Sequence, residues 1–361
     1  MSINTDPNIK AKVVYDTILQ IPEEMGIPSP EQMNGTRLEQ TGELCCRICY
    51  DSLGKGRSSD AMHDHLLEVK HWSVYEHGHF TLELRRGLSV HDALALANRP
   101  GLTVRQDKYG SVRITLNARH LLDWDRWTKL SYPNYETQAS ANRLFDEMLC
   151  CVKKLGFAPR IFKNLKPYGD ADDAFVAPVQ PNVNSERKLT LFLSGSRGMS
   201  HEQVRHRFNI SQRSTRYVDE DSSPWVEHPL MGAYFAANPD SPLKGQISGA
   251  INASRETYVG AVSALQTWLI SQKVDKFTAR KQARGAARGF LGNALCTELM
   301  FTASVDMWLD MLGLRAAQAA DAEIRVLYGC VLNALKSSAY GKEFEHVKMV
   351  PAPDGLGEVL A

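Results

Sequence analysis

The sequence predicts an α+β protein, because stretches with the period of a strand and stretches with the period of a helix are both written into it. Three segments alternate apolar and polar residues: HFTLEL at Phe80, Leu82 and Leu84; VRITL at Val112, Ile114 and Leu116; and KLTLFLSG at Leu189, Leu191 and Leu193. A period of two marks a strand with one face turned inward. From residue 247 the period lengthens. Ala250, Ser254, Tyr258, Ala261, Leu265, Trp268 and Leu269 fall at steps of three and four, as one face of a helix does.

Taken in order, residues 1–40 carry scattered turn signals at Pro22, Pro28, Pro30 and Gly35 and little chemistry. DAMHDHLLEVKHWS then suggests an amphipathic helix through Met62, Leu66, Leu67 and Val69, ahead of the first strand. In SVRITLNARHLLDW the strand runs into a helix at Asn117, whose side-chain oxygen can accept an orphan backbone N–H at a helix start. Residues 166–187, with prolines and asparagines among acids, read as an exposed loop. Residues 219–246 hold Pro224, Pro229, Pro239 and Pro242 and read as a long one. Beyond them Lys276, Arg280, Arg284 and Arg288 form an i, i+4 row, a basic stripe on one helix face. No tandem repeat dominates, although LNARHLLDW and the later SVDMWLDML share a strand-to-helix cadence.

With 361 residues, 43% hydrophobic and 23% charged, the chain can bury a sizeable core. A net charge of +1 gives no global attraction for nucleic acid or an anionic membrane. No apolar run approaches the ~20 residues that span a bilayer, and MSINTDPNIK lacks the apolar centre of a signal peptide. Seven cysteines, an odd number, suit reduced thiols and a cytoplasmic protein. Cys46 and Cys49 have C-x-x-C spacing without a second pair, so they read as small core residues and no metal is expected.

Positive charge is concentrated instead. Arg197, Arg205, Arg207, Arg213 and Arg216 crowd into residues 197–217 against one acid, Glu202. Such crowding costs repulsion unless an anion neutralises it, and the guanidinium fork suits phosphates and the oxygen edge of a heterocycle. Ser211, Ser214 and Thr215 add hydroxyl donors. A solvated basic loop is the plain alternative. Nucleic-acid binding is another, weakened by sparse aromatic interleaving.

The same residues carry a resemblance. RHR at Arg205–Arg207, with STRY following, resembles the signature of the flavin-dependent thymidylate synthases (the ThyX family), with one residue fewer before Ser214 than that family usually has. CRICYDS, HWSVYEHGHFTLEL, SGSRGMSHEQVRHR, ARGFLGNALCT and LGLRAAQAADAEIR are similar to further blocks of the family, in its order. The resemblance implies a ThyX-like central sheet with long helices, one catalytic domain over residues 1–361, and an inserted α/β segment at 87–187. It implies reductive C5 methylation of dUMP to dTMP, with methylenetetrahydrofolate as carbon donor, FAD as hydride carrier and NADPH as reductant, in a homotetramer with shared sites. A C5 methylase of UMP, or a flavin- or nucleotide-binding relative without catalysis, are the alternatives.

Carried over by motif, Arg205, His206, Arg207, Ser73 and Glu76 would line the FAD site. Glu202, Arg205, Gln212, Ser214, Arg216 and Arg288 would hold dUMP, and Arg315 would bind the uracil edge and stabilise charge as N3 loses its proton. The family's later N-x-R element is missing, since that stretch offers Ser304, Asp306 and Asp310. Asn117 and Arg119 in the insertion look like that element in a new place, and are expected to take over its contact with FAD.

Overall fold

The computed structural model describes residues 6–15, 33–97, 99–131, 135–171, 173–206 and 209–360, arranged around two four-stranded antiparallel sheets. After β1 (Lys10–Tyr15) come α1 (Arg37–Tyr50), α2 (Ser59–Glu68), a 3-10 turn at Trp72–Glu76 and β2 (His79–Leu84). Helix α3 (Val90–Ala97) leads to β3 (Thr103–Gln106) and β4 (Val112–Asn117). Then follow α4 (Ala118–Leu122), α5 (Trp124–Ser131), α6 (Tyr135–Lys154), α7 (Pro159–Phe162) and β5 (Val176–Val179). The second half holds β6 (Lys188–Ser196), α8 (Arg197–Gln203), β7 (Asn209–Gln212), α9 (Pro229–Ala237), α10 (Leu243–Ser271) and α11 (Lys276–Ala287). It continues through β8 (Cys296–Ser304), α12 (Val305–Arg315) and α13 (Ala322–Lys336) to a hairpin of β9 (Lys348–Pro351) and β10 (Gly357–Leu360).

The three alternating segments are strands, but the alternation understates how deeply they lie. In β6, Leu189, Leu191 and Leu193 face a core built with Trp308 of α12 and Leu327, Tyr328 and Val331 of α13. The opposite face is covered as well: Phe192 and Met300 pack among Leu44 and Cys45 of α1. Two expected loops contain structure. Val176–Val179 pairs with β2, and α9 starts at Pro229, whose fixed φ and missing N–H suit a first helical turn. In α10, only Tyr258 of the helical stripe is buried, while Trp268 is 58% exposed. Among the described residues no helix is long and apolar enough to cross a membrane.

The two sheets are alike strand for strand. Their orders are β5-β2-β4-β3 and β1-β6-β8-β7. In each, a helix (α3 or α8) follows the inner strand β2 or β6, leads to the edge strand β3 or β7, and the next strand ends on a helix cap. The registers agree too. His79 lies opposite Asn117, the cap of α4, as Lys188 lies opposite Ser304, the cap of α12. Thr103 pairs with Thr115 as Asn209 pairs with Thr302. Even a side-chain bond recurs: the hydroxyls of Thr81 and Thr115 lie 2.9 Å apart, those of Thr190 and Thr302 2.6 Å apart. The sheets differ in the outer strand, β5 entering from the chain after the sheet and β1 from the chain before it, and in the connection from β7 to β8, which holds α9, α10 and α11.

Candidate functional site

Three clusters of polar side chains stand out, the second of them at the joint between the sheets. In the first, Arg315 at the end of α12 points its fork at the last turn of α8 and the loop after it. Its Nε donates to His206 Nε2 at 2.8 Å, its Nη1 to Glu202 Oε2 at 2.9 Å, and its Nη2 to the Glu202 carbonyl at 3.3 Å. A ring nitrogen that accepts from a guanidinium must be unprotonated, and burial followed by the Arg315 charge lowers the His206 pKa. Tyr328 of α13 supports the end of α8 by donating to Gln203 Oε1 at 2.9 Å.

The second cluster lies where the first sheet meets the edge of the other. Arg119 forms ion pairs with Glu76 and, at 2.8 Å, with Asp123. Burial raises the Glu76 pKa against the pull of Arg119. Asn117 caps α4, accepting from His120 N at 3.3 Å while His120 Nδ1 accepts from the Asn117 N–H at 3.0 Å. Asn209, the first residue of β7, donates to the Glu76 carbonyl at 2.8 Å. His77 bridges to the second sheet, 2.8 Å from both Thr302 Oγ1 and Ser211 Oγ, and burial lowers its pKa to about 3. Ser73 is half-buried on the same 3-10 turn as Glu76. Beside it, the buried Trp72 indole N–H has no partner among the described residues.

The third cluster is the arginine face. Arg213 donates to Ser223 at 2.9 Å and lies 3.5 Å from Glu220, yet its buried Nε has no partner among the described residues. Arg197 Nη1 is likewise buried and unpartnered among the described residues. Burial lowers the Arg197 pKa, Glu220 opposes that and Arg288 adds to it. Buried donors left open cost free energy unless a ligand or water satisfies them, so the face fits an anion. Gln212 donates to Ser200 at 3.1 Å and Thr297 at 3.3 Å. The Ser214 N–H donates to the Cys49 carbonyl at 2.9 Å. Arg205, Arg216 and Arg288 are exposed. Arg207 lies outside the described residues. The basic stripe is broken in use: Arg284 turns back to the Tyr217 carbonyl at 2.6 Å and to Asp219.

A cavity of about 610 Å³ opens elsewhere, between the sheets, lined by His79, Thr81, Thr115, Glu186 and Lys188 among others and by none of the candidate arginines. The C-x-x-C cysteines and Cys45 offer no activated thiolate: burial pushes the Cys49 thiol up to about 12 and raises Cys45 and Cys46 as well.

A family model described as thymidylate synthase complementing protein matches residues 187–339. A flavin-dependent thymidylate synthase of Mycobacterium sp. (strain KMS) is 34% identical over 179 residues, 48% of this chain and 68% of that relative. The chain belongs to the flavin-dependent thymidylate synthase family. It is an FAD-dependent methyltransferase of that class. A second relative of the same name, from Mycobacteroides abscessus, is 37% identical over 160 residues, 44% of this chain and 61% of its own length. A crystal structure of ThyX from Helicobacter pylori with FAD and dUMP shares 19% identity over 45% of this chain and 73% of that one, with a TM-score of 0.27.

As a flavin-dependent thymidylate synthase, the chain draws its candidate residues from both sheets. Glu76 and Arg119, distant in sequence, are ion-paired, and Glu202, His206 and Arg315 form one hydrogen-bonded group. Gln212 and Ser214 stand apart from both groups, bonded to Ser200, Thr297 and Cys49. Sequence spacing does not single out Asn209 or His77, which tie the two sheets together, nor the open donor of Arg197. For Arg197 the signal is its place at the head of the arginine-rich segment.

Proposed function

We propose that the enzyme converts dUMP to dTMP, taking the carbon from methylenetetrahydrofolate and its reducing power from NADPH through FAD. Reduced flavin supplies the hydride; the protein supplies binding, orientation and positive charge. The observation that carries this reading is the setting of Arg315. Three of its five N–H donors are taken by Glu202 and His206, which leaves two for a uracil edge. A guanidinium fixed in that way is ready for the anion formed as N3 loses its proton, without reorganising when the charge appears. Glu202 and His206 thus position Arg315.

On the arginine face, Arg216 and Arg288 reach toward solvent, and Arg197 keeps a buried donor open. With Arg205, Gln212 and Ser214 they would hold the nucleotide, chiefly its phosphate. Ser73, Glu76, Asn117, Arg119, Arg205, His206 and Arg207 would hold FAD, and the ion pair of Arg119 with Glu76 keeps the basic group at the joint between the sheets. We place the protein in the cytoplasm and in a homotetramer. The exposed Val259 and Ile270 of α10, which share one side of the helix, offer apolar surface for another copy of the chain. The deciding assay follows dTMP formation from dUMP, methylenetetrahydrofolate and NADPH with and without FAD. Full turnover by flavin-free protein contradicts the reading, and preference for UMP would redirect it to the related methylase.

A further inference from the structure

We infer that the two sheets are two copies of one unit that have divided a single active site between them, so that each chain binds one flavin and one nucleotide. The matched strand order and register supply the residue equivalences. Thr103 and Asn209 occupy the same place, each opposite the threonine two residues before a helix cap. By sequence count alone, Arg99-Pro100-Gly101 precedes Thr103 at the distance at which Arg205-His206-Arg207 precedes Asn209. Counting from the caps, Asn117 and Arg119 stand where the second copy has Ser304 and Asp306.

The losses are complementary. Arg99 is buried, lies 3.8 Å over the Trp124 ring and donates to the His120 carbonyl at 3.0 Å, so the first copy has turned its remaining arginine into packing. Pro100 supplies no imidazole and Gly101 no guanidinium. In the second copy Asp306 puts a negative charge where Arg119 carries a positive one, and it acts electrostatically on the half-buried Lys188, the counterpart of His79. Neither copy retains both arms. The copies meet where the retained arms do, through the Asn209 bond to Glu76 and the bonds of His77 to Thr302 and Ser211. On this account residues 87–187 are the remainder of the first copy.

This inference rests on the flavin reading above, and the experiment separates the two. Full-length protein is saturated with FAD, freed of excess, and its flavin counted against protein by absorbance, for the parent and for Arg205→Ala, an exposed position that should not disturb folding. One flavin per chain, with affinity weakened tenfold or more in Arg205→Ala, is expected. Two per chain overturn the division of the site while leaving the flavin reading intact. One per chain that Arg205→Ala leaves untouched also overturns it, because the first copy's Arg99-Pro100-Gly101 would then be holding the flavin. No bound flavin overturns the functional reading itself.

Discussion

At Asn117 and at Ser304 the chain does the same thing twice, leaving a strand and starting a helix whose cap accepts a backbone N–H. Two residues on, Arg119 meets two carboxylates at the joint between the sheets, whereas Asp306 stands at the matching place in α12. The backbone device is kept and the charge is reversed. Caps are conditions of folding that any polar cap residue can meet, so Asn and Ser interchange; charge at the next turn is a matter of what must be bound, so it diverges.

The largest effect that would sharpen this comparison is removal of flavin. Turnover of dUMP should vanish in FAD-free protein and return on adding FAD, measured as dTMP formed. Next, Arg315→Lys should cut kcat by roughly 10- to 100-fold, the equivalent of losing a charged hydrogen bond worth ~1.5–3 kcal/mol, with a smaller change in dUMP affinity. Lysine keeps the charge but loses the fork that His206 and Glu202 hold. Unchanged turnover would remove Arg315 from the chemistry.

The bond between the copies can be tested by pH. His77 is neutral in the fold, with a pKa of about 3 against an ordinary value near 6.5, so the unfolded chain takes up a proton the folded one refuses. The stability His77 contributes is therefore complete above about pH 6.5 and lost as pH falls toward 3, at up to roughly 1.4 kcal/mol per pH unit. Urea unfolding of the parent and His77→Gln between pH 7 and pH 5 should show a shallower loss in the variant. Equal slopes would mean that His77 is protonated in the fold. The smallest effect is at the second cap: Ser304→Ala should cost ~1 kcal/mol of stability and leave flavin affinity unchanged.

Local structure was legible in the sequence wherever one physical rule dominated. The period of two placed β2, β4 and β6, and the capping chemistry of Asn117 placed the start of α4. Strand β5 was hidden because Pro178 sits in it, on the outer strand where a missing ladder donor is tolerated. Helix α9 was hidden among prolines, one of which begins it. The doubled architecture surfaced only as a shared cadence, since a repeat is read from a fixed period and here none exists. Residues 107–111 turn directly between β3 and β4, whereas 213–295 between β7 and β8 hold α9, α10 and α11. At the site, arginine clustering was visible, but the pairing of Arg119 with Glu76 depends on a strand register that no spacing reveals.

The central claim is that the first sheet supplies the Asn117 and Arg119 arm of the flavin site, and that the second, with Ser304 and Asp306 at the matching places, has lost that arm. Flavin fluorescence on titration with Arg119→Ala and with Asp306→Ala tests this most directly. The account predicts that Arg119→Ala weakens FAD binding at least tenfold, in line with a charged contact of ~1.5–3 kcal/mol, and that Asp306→Ala binds FAD as the parent does. If Arg119→Ala retains the parent affinity, or Asp306→Ala weakens FAD as much, the two helix starts are not divided in the way proposed.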